Sequence, residues 1–402
     1  MPNPSFYFVC VLTVCLALGC ETAADSEPDD AVDAALDQSV TDGAIDLGPA
    51  ACQADEDCRD DSSCTTDKCL DGRCAYERIE GQFEIERVMD APEGVVAFER
   101  SGDLLYIARG ELGTQAWDVG SIPPRKLLDY ARAEDEAPHA GAHYFDGGVV
   151  IRSGRWIYIV DSTGRRVGEY RSSDEVRDIL SLGEQTVALA LYSKGIEIVD
   201  LGNGIFPMRV GRTDTLGRAN ELLRIEDRLA VADGLLGISV VNIADPTTPI
   251  LQEETLETSG RIDHLSGSGQ LVVADEAGTG IGFFKATQED LRRTSRLVRQ
   301  DNIVRLHASD PATALAVTGD GVLNVYDASD LDNPGLYQQV EFGSTVIAAT
   351  YVDRTLTALT QDGEFKVAVY SCGLEGEASL PSDIIPDGGA LDAATAVDGG
   401  AP

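Results

Sequence analysis

Between residues 177 and 213 apolar and polar positions alternate with a period of two, broken only by short turn-forming runs. Residues 177–182 and 186–191 read as two strands. Tyr192-Ser193-Lys194-Gly195 turns the chain, 196–201 returns it, and 207–213 forms a fourth strand. Alternation over five or six residues is the mark of a half-buried strand, and four in succession make an antiparallel meander. Helical periodicity is nearly absent; 288–299 is the one stretch that reads either way.

The meander recurs. Strand-like segments end in an apolar-then-polar pair at Trp117-Asp118, Val160-Asp161, Val199-Asp200, Val241-Asn242, Phe284-Lys285, Tyr326-Asp327 and Val369-Tyr370, at intervals of 43, 39, 42, 43, 42 and 43 residues. Seven short-strand units at this period predict an all-β fold, a seven-bladed β-propeller of four-stranded antiparallel blades over residues 83–372. Five of the seven units close on Asp or Asn, whose side chain can bond the backbone two residues on and set the turn to the outer strand. The last unit has no outer strand of its own, because nothing strand-like follows Cys372. Residues 83–88 alternate apolar and charged positions and lack any other partner. They are expected to complete the seventh blade, closing the ring and removing its exposed edges.

The fourth unit reads Leu229-Ala230-Val231-Ala232-Asp233-Gly234, then Gly237-Ile238-Ser239-Val240-Val241-Asn242, then Asp245-Pro246 with Pro249. It resembles the LVIVD repeat of bacterial surface propellers, and Val272-Ala274-Asp275 and Gly195–Asp200 echo it. The resemblance covers roughly residues 175–343. It implies a propeller on the cell surface and no shared catalytic residues. The chain lacks a WD40 signature: Trp117-Asp118 is its only such dipeptide, and no Gly-His pair precedes the units.

The N-terminus adds a location. Residues 6–18 are apolar and uncharged, too few to span a bilayer as a helix but of the length of a signal-peptide core. Ala17-Leu18-Gly19-Cys20 resembles the lipobox of bacterial lipoproteins, although no Lys or Arg precedes the apolar run and Ala17 stands where Leu is usual. The resemblance implies a signal peptide over 1–20 and lipidation at Cys20. The competing reading is ordinary secretion with cleavage near Gly19 or beyond. Either expectation places the protein outside the cytoplasm, and the first ties it to the cell envelope, at the outer membrane or cell surface, by a lipid alone. Residues 21–51 carry nine acids and no base, and 377–402 carry five acids and no base. Such segments, 21–51 and 373–402, cannot bury enough surface to offset ordering entropy and read as a disordered acidic linker and tail. With 69 acidic and 31 basic residues overall, nucleic acid is excluded as a partner.

Five cysteines, Cys52, Cys58, Cys64, Cys69 and Cys74, crowd a stretch otherwise made of Asp, Ser, Thr and Gly, so 52–76 forms a module that needs disulfides in place of a core. Cys64-Thr65-Thr66-Asp67-Lys68-Cys69 followed by Asp71-Gly72-Arg73-Cys74 resembles a short repeat of slime-mould extracellular matrix proteins, which implies a disulfide-bonded module and no activity. Five cysteines cannot pair among themselves. Cys372, at the end of the seventh unit, is the expected sixth, with Cys74 its preferred partner and Cys52 the second choice. A zinc site competes, but no His lies in the module and the surroundings are oxidising.

Candidate chemistry is sparse. The His residues are His139, His143, His264 and His307; the first two are spaced i,i+4 but precede a strand, and two ligands do not make a catalytic metal site. Asp55-Glu56-Asp57 with Asp60-Asp61 lacks calcium-loop spacing. Arg292, Arg293, Arg296 and Arg299 read as the exposed side of an outer strand. No nucleophile elbow, phosphate loop, zincin or EF-hand pattern occurs, so no catalytic residue, metal or cofactor is expected. Counting back from the closing pairs places His143, Asp178, Asn220, His264 (or Asp263) and Arg305 near the starts of inner strands, where they would ring one mouth of the central channel. The expectation is a surface scaffold that binds a protein or glycan through its blade loops. The alternative is an extracytoplasmic hydrolase or lyase with its site at the channel mouth, against which the thin supply of acids, bases and nucleophiles weighs.

Overall fold

The computed structural model describes residues 44–45, 52–59, 65–70, 72–79 and 81–372, except for 146–147, 184, 203–204, 253–255, 257, 300–301 and 353. The signal peptide, Cys20, Cys64 and the tail lie outside the described residues.

Seven blades of four antiparallel strands follow one another along the chain, the fourth joined by one further short strand. The third shows how sequence makes a blade. Its strands are Asp178–Gly183, Thr186–Ala190, Ile196–Asp200 and Met208–Thr213. The second and third are buried almost throughout because they are covered by neighbouring blades on both faces. The outer strand, at the rim, is half exposed. Residues 288–299 resolve in favour of strand, as Leu291–Val298 forms the outer strand of blade 5.

The turn rule holds at all five closing acids and amides. Asp118, Asp161, Asp200, Asn242 and Asp327 each accept the backbone N–H two residues on, at 2.7–3.1 Å. The ring closes as expected: Gly81–Asp90 pairs antiparallel with Glu364–Cys372, with Phe83 opposite Tyr370 and Val88 opposite Lys366. Phe83 is buried against the rings of Tyr370 (4.9 Å) and Tyr351 (6.3 Å), so the closing strand supplies core as well as hydrogen bonds. The Gln338 side chain of blade 6 accepts from Phe83 N–H (2.9 Å) and donates to its carbonyl (3.2 Å).

The module is a hairpin, Thr65–Leu70 with Arg73–Arg78, preceded by a 3-10 turn at Asp55–Cys58. Cys52 is bonded to Cys69 and Cys58 to Cys74. Both preferred partners of Cys372 are thereby taken, and that expectation is corrected. The register places Cys69 directly opposite Cys74 in the hairpin, yet each bonds across to the segment before it, which no spacing argument distinguishes. Cys372 is itself disulfide-bonded. The module's acids serve the backbone: Asp57 accepts from Gln53 and Ala54 N–H, and Asp55 from Cys69 N–H. Within the linker, Ala44–Ile45 pairs in parallel with the inner strand of blade 4, and its other residues lie outside the described residues.

Candidate functional site: the channel mouth

Antiparallel order puts the loop entering each inner strand, and the turn between second and third strands, at one end of the ring. The other two turns of each blade lie at the opposite end. Inner strands begin at the first end, and there charged side chains from six blades meet. Glu99 comes from blade 1 (Ala97–Ser101), His143 from blade 2 (Gly141–Phe145) and Asp178 from blade 3. Glu221 comes from blade 4 (Glu221–Ile225), His264 from blade 5 (Arg261–Ser268) and Arg305 from blade 6 (Ile303–Asp310).

The ring is wired across blades. Arg305 reaches past blade 5 to bond Glu221 at 2.5 Å, which is possible only because inner strands converge on one axis. Glu221 also faces His264 Nδ1 at 3.3 Å and accepts from Leu265 N–H at 2.9 Å. His143 Nδ1 pairs with Glu99. Asp178 accepts one hydrogen bond, from Leu222 N–H at 2.9 Å, and no ion pair to it is formed among the described residues. Burial, with Glu221 close by, pushes the Asp178 carboxyl up to about 6. Burial would also raise Glu221, but Arg305 and His264 outweigh it and hold that carboxyl low. His143 and His264 are raised: burial disfavours their charge, and Glu99 and Glu221 more than compensate. The side chains of Glu99, His143, Glu221, His264 and Arg305 keep between 13% and 39% of their surface in contact with solvent, so the mouth is partly open.

Of the residues anticipated from sequence, the structure brings His143, Asp178, His264 and Arg305 together. Asn220 falls one position outside its strand and turns aside, donating to Asp263 at 3.1 Å, while Asp263 pairs with Arg261. Its neighbour Glu221 occupies the ring instead. Strand alternation could have found this, since adjacent residues cannot share a face. Counting back from the closing pairs did not single out Glu99. His307 lies deeper, between Ser266 Oγ and the Tyr351 carbonyl (both 3.0 Å), and burial holds it neutral, down to about 4.

Other polar clusters have structural roles. Glu136 and His139 are sealed between blades 1 and 2. Glu136 accepts from Tyr130 Oη (2.6 Å), Arg166 Nη1 (2.7 Å) and Ala133 N–H (3.1 Å) and faces His139 Nε2 (3.1 Å), whose Nδ1 meets Thr114 Oγ1 (2.8 Å). His139 is thus a core residue. The arginine group is corrected in part: Arg293 and Arg296 turn toward buried Glu276, and Arg299 toward Asn324 and Tyr326. Among the described residues, the groups close enough to hold a metal are only Cys52, Cys58 and Cys74, which are committed to disulfides. A cavity of about 270 Å³ lies between blades 7 and 1 toward the opposite end, lined by Arg87, Arg100, Asp103 and Thr355 among others.

No family model matches the chain, and no curated protein is similar to it. Solved structures are. A chain of a mitotic checkpoint complex aligns at 14% identity and TM-score 0.59, covering 71% of this chain and 93% of its own. The β-propeller domain of Myceliophteria thermophila Cps50 (Swd1) aligns at 14% identity and TM-score 0.58, with 72% and 99% covered. The WD40 domain of Neurospora crassa Pan2 aligns at 12% identity and TM-score 0.57, with 71% and 95% covered. At such identities the likeness is one of fold: the protein is a seven-bladed β-propeller carrying a disulfide-bonded module ahead of its ring.

Proposed function

We propose that the protein is a lipid-anchored scaffold of the cell envelope that engages protein partners through the loops of its propeller. The observation carrying the scaffold reading is that exposed large apolar side chains sit on loops at both ends of the ring. Leu216, Leu235 and Leu236 stand at the mouth end, and Ile122 and Phe206 at the other. Apolar groups on two faces of one rigid body suit a protein that holds more than one partner. Propellers of this fold occur in assemblies, as in the checkpoint complex and in a BBS1 fragment solved with ARL6. Serine at Leu216 and Leu235, or at Ile122 and Phe206, is expected to abolish capture of a defined envelope partner while leaving the ring folded. Unchanged capture by both double variants refutes the reading.

Location outside the cytoplasm is supported by the disulfides, which persist in oxidising compartments. The lipobox-like segment and the LVIVD-like repeats favour the envelope surface. Cys20→Ser should release the protein from membranes, and attachment unaffected by that change overturns the anchor. With Cys52, Cys58, Cys69 and Cys74 paired, Cys64 is the proposed partner of Cys372. Peptide mapping of unreduced protein should recover the two linked, and a free Cys64 thiol would exclude it.

A further inference from the structure

The cavity between blades 7 and 1 is bounded by the seam where the ring closes. Its 270 Å³ or so is far more than the ~10–15 Å³ that one water needs. Arg87 on the closing strand, Val367 on the third strand of blade 7 and Thr357 on the second (Thr355–Thr360) all line it. These three stand directly opposite one another, Arg87 against Val367 and Val367 against Thr357. Residues opposed in this way project from one face of the sheet, with Arg87 and Thr357 about 10 Å apart at their Cα atoms. Buried Leu105 and Val119 of blade 1 face them and make the opposite wall apolar.

The polar groups of this lining have capacity left. Thr357 is only 2% exposed, yet its hydroxyl forms no hydrogen bond among the described residues. A hydroxyl so deeply placed ordinarily has a partner. Arg87 donates one N–H to the Val119 carbonyl at 2.6 Å, a bond that crosses from blade 7 to blade 1, and it forms no ion pair among the described residues. Arg100, 13% exposed, donates Nε–H to the Gly102 carbonyl at 2.7 Å. The two acids of the lining, Asp103 (73% exposed) and Glu86, stand in solvent. Solvent screens charges it reaches far better than those it does not, so the interior favours a negative group.

We propose that the seam cavity binds a small carboxylic acid with an apolar body. A carboxylate above Val367 is flanked by the Arg87 guanidinium and the Thr357 hydroxyl and accepts from both, while its hydrocarbon part packs on Leu105 and Val119. One guanidinium without an ion pair matches one negative charge, and apolar walls disfavour a more strongly hydrated phosphate. The bond from Arg87 to Val119 holds the guanidinium in place before the ligand arrives. Such a ligand touches both the closing strand and blade 1, so its binding also stabilises the closed ring. The site is separate from the apolar loops of the scaffold reading and does not depend on it.

The test is calorimetry and thermal unfolding of the full chain with hexanoate, benzoate and phenylacetate, each up to about 10 mM at constant ionic strength and each matched with its primary amide. Saturable binding of at least one acid is expected, with a raised unfolding temperature, and its amide should bind at least about tenfold more weakly. Arg87→Met keeps the packing of the stem and removes the guanidinium; it should weaken binding about tenfold or more. Thr357→Val keeps the shape and removes the hydroxyl, and should weaken binding about threefold. The valine leaves no polar group unsatisfied, so it should fold as the parent does and keeps the test decisive if Arg87→Met is less stable. Asp178→Asn, at the other end of the ring, should bind as the parent does. No acid bound across the panel, amides or inorganic phosphate bound as tightly as the acids, or binding indifferent to both substitutions overturns the proposal.

Discussion

Glu136 and Asp178 are both carboxylates taken from water by the same propeller, and they are treated in opposite ways. Around Glu136 the fold supplies Tyr130, Arg166, His139 and the Ala133 N–H, and the side chain is wholly sealed. Burial would raise its carboxyl, yet these bonds hold it below its ordinary value. Around Asp178 the fold supplies a single backbone N–H and leaves the group facing an open channel, where burial raises it. A buried charge with every lone pair occupied fixes the position of two blades against each other. One left short of partners at an open mouth is a group with capacity to spare.

The sharpest way to break the contrast is Glu136→Ala. It strips partners from Arg166, His139 and Tyr130 in a closed space, and unfolding by denaturant should show a loss of about 3–5 kcal/mol. A loss under about 1 kcal/mol would mean that the cluster is not holding the blades. Glu221→Gln should fall between the extremes, costing about 1–3 kcal/mol, since Arg305 and His264 lose a charged acceptor but can turn to water. Asp178→Asn should have the smallest effect and the opposite sign. The folded state holds the Asp178 proton more tightly than the unfolded chain does. That stabilising contribution is complete below the ordinary Asp range and is lost as pH rises through about 6. The groups that set this value are Glu221 on blade 4, His143 and Arg152 on blade 2, and Arg305 on blade 6. At about pH 8 the Asn variant should therefore be more stable than the parent by about 1 kcal/mol, with the gain vanishing near pH 4. A variant less stable at the higher pH would show that Asp178 has a cationic partner after all.

These contrasts also separate what is local in the chain from what is not. Strand alternation, the 42-residue period, the closing strand and the turn-capping Asp and Asn residues were legible because each depends on neighbours within one blade. Their periods survive in the sequence whatever surrounds them. The mouth was legible by counting, to within one residue: Asp178 and Arg305 fell where the repeat placed them, but Asn220 stood in for Glu221. The sequence by itself determined the number of blades, the way the ring closes and the need for disulfides in a module with no core. Only the tertiary structure decided which cysteines pair, that His139 is sealed while His143 is open, and that Arg305 finds Glu221 rather than Asp178. Those outcomes are contacts between segments tens of residues apart. Convergence of inner strands on one axis sets their distances, and no local period carries that information.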